Sequence, residues 1–252
     1  MILDQFRLDG KTALVTGASA GLGAAMAIAL AQAGADVVCH GNSRSPRTCE
    51  KIEKLGRRTA AVQADLAQSG AAESLFEKAQ QFAPVDIVIN NAGTIRRAKA
   101  IEYSDADWTA VLQVNLNSVW KLCQAAGRFF IARQATGKIV NIASLLAFQG
   151  GITVPAYAAS KGAVAQLTKP LANEWASQGV NVNAIAPGYM RTANTAALQR
   201  DEIRNRQILE RIPAQRWGDP ADICGAAVFL ASAASDYVNG HVLVVDGGWM
   251  GT

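Results

Sequence analysis

The chain has 252 residues, half of them hydrophobic and 17% charged, which suits one large buried α/β core and excludes a disordered chain. The formal charge of +4 is small, and the densest basic runs, such as Arg57-Arg58 and Arg96-Arg97, are only pairs. This excludes a nucleic-acid patch and leaves a mild attraction for anionic ligands. Cys39, Cys49, Cys123 and Cys224 are scattered, and His40 and His241 stand far apart, so buried reduced thiols are expected and no metal site.

At the N-terminus, Met1-Ile2-Leu3-Asp4-Gln5-Phe6 lacks the basic and apolar segments of a signal peptide, and no uncharged apolar run reaches membrane-spanning length. A cytoplasmic chain with no membrane contact is expected. A strand is predicted over Thr12–Thr16 and a helix over Gly21–Ala33. Between them runs Thr16-Gly17-Ala18-Ser19-Ala20-Gly21-Leu22-Gly23. Its glycines do not follow the Gly-x-Gly-x-x-Gly spacing. A Gly-rich turn opening a helix nevertheless lets backbone N–H groups approach a pyrophosphate.

A strand over Asp36–His40 and a helix over Pro46–Leu55 come next, joined through Gly41-Asn42-Ser43-Arg44. No carboxylate stands there to hold ribose hydroxyls, while Ser43 and Arg44 suit the extra phosphate of NADP. The third predicted strand, Thr59–Ala64, ends at Asp65-Leu66. There Asp65 could accept from an adenine amine or cap the helix expected over Ala71–Phe82. The fourth, Asp86–Asn90, leads into Asn90-Asn91-Ala92-Gly93, again at the carboxyl edge where cofactors bind.

The stretch Asp105–Gln134 is predicted helical, with room for a break, and is followed by a strand over Lys138–Ala143 and a helix over Tyr157–Ser177. Tyr157 and Lys161 lie four residues apart and therefore share a helix face. An ordinary tyrosine has a pKa of about 10, and a nearby cation favours its phenolate. Lys161 is thus expected to pull the Tyr157 pKa down, making Tyr157 a general acid/base for a hydroxyl proton. Pro170 removes a helix hydrogen bond to Gln166 and is expected to kink the helix near 166–170. A strand over Asn181–Ile185, a polar stretch Gly188–Ile212, a helix over Ala221–Ala231 and a strand over His241–Val245 complete the chain. The polar stretch is read as a helical flap over the substrate, at about 188–212. Seven strands separated by crossover helices predict an α/β fold, a doubly wound parallel sheet with helices on both faces.

Taken together, Thr16-Gly17-x-x-x-Gly21-x-Gly23, Asn90-Asn91-Ala92-Gly93, Asn115, Ser144, Tyr157-x-x-x-Lys161 and Pro187-Gly188 resemble the short-chain dehydrogenase/reductase family over essentially the whole chain. The resemblance implies a single Rossmann-like NAD(P)-binding catalytic domain over 1–252, a homotetramer, and oxidoreduction of alcohols and carbonyls. It implies that Ser144 orients the carbonyl, Tyr157 exchanges the proton, Lys161 tunes Tyr157 and holds the nicotinamide ribose, and Asn115 supports a water relay. Cofactor contacts are expected from Gly17, Ser19, Gly21, Leu22, Gly23, Ser43, Arg44, Asp65, Leu66, Asn91, Ala92, Gly93, Tyr157, Lys161, Pro187, Gly188, Met190 and Thr192.

A narrower resemblance covers Ile95-Arg96-Arg97, Phe148-Gln149-Gly150-Gly151-Ile152, Asn173-Glu174-Trp175-Ala176 and Arg211-Ile212-Pro213-Ala214. These look like the subgroup named for 2-dehydro-3-deoxy-D-gluconate 5-dehydrogenase and 2-deoxy-D-gluconate 3-dehydrogenase. It implies a sugar-acid substrate, touched by Ser144, Gln149 and Tyr189. An acid group needs a cationic partner. Arg96 is the first choice, with Arg97, Arg191 and Arg216 also present. The subgroup's common use of NAD runs against Ser43 and Arg44, so NAD(H) and NADP(H) both stay open. A 3-oxoacyl thioester reductase is the alternative enzyme. A nucleotide-sensing regulator would predict lost catalytic groups, yet all four are present.

Overall fold

The seven β-rich runs form seven parallel strands in the order β3-β2-β1-β4-β5-β6-β7. They are β1 Thr12–Val15, β2 Asp36–Gly41, β3 Thr59–Gln63, β4 Ile87–Asn90, β5 Gly137–Ile142, β6 Val180–Pro187 and β7 Val242–Val245. The structure is a computed structural model, and it describes residues 1–42 and 46–251. Every residue of β1, β4 and β5 is buried, as required when helices cover both faces. Alternation along the strands sorts the core into two layers. Ala13, Val15, Val37 and Ile89 pack with Met26 and Leu30 of α1 (Gly21–Gln32) and Leu230 of α9 (Cys224–Ala231). Leu14, Val38 and Val88 face α3 (Ala71–Phe82), α5 (Ser118–Ala132) and α6 (Pro155–Trp175) through Leu75, Leu122 and Val164. All four cysteines are free, and Cys39, Cys49 and Cys123 are buried.

Strand order reverses between β1 and β4, which pair directly. The crevice at such a reversal, outside the carboxyl ends of the strands, is where this architecture holds ligands. Both Gly17 and Asn91 sit there, just beyond β1 and β4.

The long helical stretch does contain its break. It divides into α4 (Asp105–Leu112), one π turn (Gln113–Asn117) and α5. The polar segment carries α7 (Ala196–Arg200) and α8 (Glu202–Arg211), the latter capped by Asp201 Oδ1 accepting from Ile203 and Arg204 N–H at 3.1 and 3.0 Å. Helix α6 is continuous through Pro170 to Trp175. Its buried Val164, Thr168, Leu171 and Ala172 hold both sides of the proline against the core, so packing outweighs the lost hydrogen bond.

Candidate active site

The turn after β1 can approach a ligand because it carries no Cβ where space is tightest. A methyl on Gly23 would collide with the Gly17 carbonyl oxygen and lie 2.5 Å from Asn91 Nδ2, and one on Gly17 would stand 2.8 Å from the same amide. Asn91 anchors the turn by donating from Nδ2 to the Thr16 and Gly17 carbonyls at 2.8 and 3.3 Å. Thr16 Oγ1 in return accepts from the Asn91 and Ala92 N–H groups, both at 2.9 Å. Helix α1 then begins without a side-chain cap, so its first N–H groups and positive dipole end are available to an anion. Beside them opens a cavity of about 300 Å³. Of the residues expected to contact a cofactor, Gly17, Gly21, Leu22, Gly23, Asn91, Ala92, Gly93, Tyr157, Lys161, Pro187, Gly188, Met190 and Thr192 line it. A Gly-walled crevice over a helix N-terminus fits a dinucleotide pyrophosphate.

Other cofactor candidates fall elsewhere. Asp65 and Leu66 follow β3 outside that lining, and the Asp65 carboxylate accepts from Ala67 N–H and the Gln68 amide at 3.0 and 3.4 Å. Asp65 therefore closes a local turn, and the N-cap of α3 is Gly70 instead. Ser19 is also outside the lining. Ser43 and Arg44 lie outside the described residues. Among the described residues, no group of three His, Cys, Asp or Glu side chains is placed to hold a metal ion.

Tyr157 and Lys161 extend from one face of α6 toward the end of β5, where Ser144 caps a short 3-10 turn over Leu145–Ala147. Ser144 Oγ accepts the Leu146 N–H at 3.2 Å. The hydroxyl proton is thereby left to donate elsewhere. The Lys161 ammonium is 4% exposed and donates to the Ile142 carbonyl at 2.6 Å. Burial lowers its pKa to about 8. The expected downward pull of Lys161 on Tyr157 is corrected here. Burial pushes the phenol above its ordinary value, and the groups that oppose this are Ser144, by hydrogen bonding, and the charge of Arg97. Lys161 lies 5.7 Å from the ring centre with its nearest hydrogen bond aimed at backbone, so desolvation dominates.

Asn115 is fully buried in the π turn. Its amide donates to the Thr94 carbonyl and to Ser160 Oγ at 3.0 and 3.1 Å, while its oxygen accepts the Thr94 N–H at 2.8 Å. The turn thus fastens the segment after β4 to the helix bearing Tyr157, a common placement for π turns. Among the described residues, no hydrogen bond joins Asn115 to Lys161.

A second cavity, of about 250 Å³, meets the first at Ser144, Tyr157, Pro187, Gly188, Asn194 and Thr195. Gln149 and Tyr189 line it. Gln149 is held by Trp249 Nε1 and Arg211 Nη2, which donate to its oxygen at 3.0 and 3.3 Å, and the Tyr189 ring packs between Trp217 and Trp249. Arg96 does not reach the cavity. Its Nε lies 3.7 Å from Asp107 on the surface. Arg191 and Arg216 are likewise paired, with Asp219 and Asp222. The arginines that do line the cavity are Arg97 and Arg204. Arg97 donates to the Asn194 carbonyl at 3.0 Å and Arg204 to Gln207 at 2.8 Å, and neither forms an ion pair among the described residues. In an extended segment neighbouring side chains point opposite ways, so the choice between Arg96 and Arg97 has no sequence signal. Asn194, Thr195 and Arg204 carried none either, because only the fold of the 188–212 segment brings them to the cavity that Tyr157 lines.

Comparison with known proteins agrees with this geometry. Residues 17–250 match a family model described as enoyl-(acyl carrier protein) reductase. The chain is 52% identical to a 2-dehydro-3-deoxy-D-gluconate 5-dehydrogenase of Escherichia coli, across 99% of both chains. It is 55% identical to the protein of the same name in Bacillus subtilis, across 98% of this chain and 97% of the relative. Among solved structures, a gluconate 5-dehydrogenase from Burkholderia cenocepacia in complex with NADP and tartrate is 39% identical, with a TM-score of 0.94 over the full length of both. An Agrobacterium tumefaciens protein with bound NADP is 54% identical, with a TM-score of 0.94 over 98% of this chain and 99% of that one.

Proposed function

We propose that this chain, which belongs to the short-chain dehydrogenase/reductase family, is a 2-dehydro-3-deoxy-D-gluconate 5-dehydrogenase that uses NADP(H) or NAD(H). The reaction converts a secondary alcohol of the sugar acid and oxidised nicotinamide into a ketone, reduced nicotinamide and a proton, or the reverse. The observation that carries this reading is the meeting of two cavities at Ser144 and Tyr157, one walled by glycines and a helix N-terminus and the other bearing two arginines that have no carboxylate partner among the described residues. Relatives above 50% identity over nearly the whole chain support the sugar acid. The acid group falls to Arg97 and Arg204, whose guanidinium groups match a carboxylate.

Nicotinamide, held in the first cavity, supplies the hydride chemistry. In reduction Tyr157, kept neutral by burial, gives its proton to the developing alkoxide, and Ser144 donates a hydrogen bond to the same oxygen. In oxidation the phenol oxygen takes the hydroxyl proton. The Lys161 ammonium spends one N–H on Ile142 and keeps two for the ligand. The segment 188–212 serves as a flap, tied by the Arg97–Asn194 hydrogen bond to the loop after β4.

The absence of a carboxylate at Gly41 and Asn42, and the NADP bound by two of the solved relatives, favour NADP(H). Free cysteines suit a reducing, cytoplasmic setting, and a homotetramer is the assembly the family implies. Initial rates at the nicotinamide absorbance, with both cofactors, on 2-dehydro-3-deoxy-D-gluconate, gluconate and a 3-oxoacyl thioester test the reading. Turnover is expected on the keto-deoxy acid. Turnover confined to the thioester would establish the alternative reductase instead.

A further inference from the structure

We infer that His40 is a positioning residue for the dinucleotide, acting through the backbone of Gly17. His40 sits near the end of β2 and is 2% exposed. Its Nε2 lies 3.0 Å from the Ala64 carbonyl, and its Nδ1 lies 3.3 Å from the Gly17 nitrogen. A carbonyl can only accept and a backbone N–H can only donate. Nε2 must therefore carry the proton and Nδ1 the lone pair, so one neutral tautomer satisfies both contacts. Burial, which lowers the imidazole pKa, favours that neutral form.

The same residue holds the turn a second time. Its own carbonyl accepts the Ala18 N–H at 2.8 Å, while the buried Thr48 hydroxyl donates to the Ala18 carbonyl at 2.8 Å. From the opposite side Asn91 donates to the Gly17 carbonyl. Gly17 adopts φ +66, a region glycine enters freely and also leaves freely. Without the imidazole, the Gly17 peptide keeps its carbonyl anchor but loses its N–H anchor. The turn that must present its amides to a pyrophosphate then has to be ordered by the ligand itself, which weakens binding. His40 never touches the ligand; it braces the turn against Ala64 at the end of β3.

The inference rests on the first cavity being the dinucleotide site, and the experiment separates the two. Dissociation constants for NADP(H) and NAD(H) are measured by nicotinamide fluorescence on wild type, His40→Leu and His40→Gln, together with kcat and cofactor KM. Replacing His40 by leucine should raise the cofactor Kd and KM by about tenfold, on the order of one lost anchoring hydrogen bond, with kcat at saturating cofactor within about threefold of wild type. Glutamine, neutral with one donor and one acceptor, should recover most of the loss. Unchanged Kd in a folded His40→Leu protein overturns the inference, as does glutamine failing to rescue. A lower kcat at constant KM overturns it too, because that is the mark of a smaller folded fraction. Should His40→Leu not fold, His40→Asn, too short to span both partners, carries the same expectation. Wild type binding neither dinucleotide would instead remove the cofactor reading of the cavity.

Discussion

The Lys161 ammonium stands 5.7 Å from the centre of the Tyr157 ring and is bonded to the Ile142 carbonyl, not to the phenol. A buried cation held this way costs stability. Its pKa falls from 10.5 to about 8, a penalty of order 3 kcal/mol at about 1.4 kcal/mol per pKa unit. Below pH 8 both folded and unfolded chains carry the charge, and the folded chain bears the whole penalty. Between about 8 and 10.5 the folded lysine is neutral and the penalty fades. Lys161→Met should therefore abolish activity while raising Tm near pH 7, and that advantage should shrink toward pH 10. Thermal melts of both proteins across this range check the sign; a constant difference would mean the charge is not penalised.

The two reaction directions should respond oppositely to pH. Reduction needs a neutral Tyr157 and a cationic Lys161, so kcat/KM for the ketone should decline as pH rises through about 8. Oxidation needs the phenol to surrender its proton, and burial raises the Tyr157 pKa, so kcat for the alcohol should climb into the alkaline range. Tyr157→Phe should lower both by about 10²–10⁴-fold, the usual contribution of a general acid/base. Rate profiles in both directions measure this, and a profile unchanged by Tyr157→Phe would remove the residue from proton transfer.

The adjacent arginines should separate cleanly. Arg97 lines the second cavity and its charge opposes the rise in the Tyr157 pKa, whereas Arg96 pairs with Asp107 on the surface. Arg97→Ala should raise the sugar-acid KM about tenfold or more, leave cofactor KM unchanged and move the oxidation profile to higher pH. Arg96→Ala should change kcat/KM by less than about twofold, as expected for an exposed ion pair. Equal effects at the two positions would refute the assignment.

Gly23→Ala should disable the cofactor turn. The added methyl meets the Gly17 carbonyl and Asn91 Nδ2, and overpacking of this kind costs about 1–3 kcal/mol. Relief requires the Gly17 peptide to move, so dinucleotide binding should fall further than stability does. Calorimetry with and without NADP tests this through the stabilisation that the ligand adds.

Much of the molecule was determined by sequence alone. Alternating β-rich and helical runs left one economical arrangement, because parallel strands need crossover helices and those helices bury both sheet faces. Strand ends came within a residue or two. The Tyr157-to-Lys161 spacing placed both groups on one helix face, since i and i+4 coincide on any α-helix. Tertiary structure decided what depends on surroundings. Spacing cannot report desolvation, so the direction of the Tyr157 shift was visible only once burial and the Arg97 charge were in place. Spacing also could not tell Arg97 from Arg96, nor reveal that Arg204 lines the same cavity as Ser144, because long-range packing of the 188–212 segment builds that wall. The use of His40 likewise appeared only when β1, β2 and β3 lay side by side, with Gly17 and Ala64 brought to opposite edges of one imidazole.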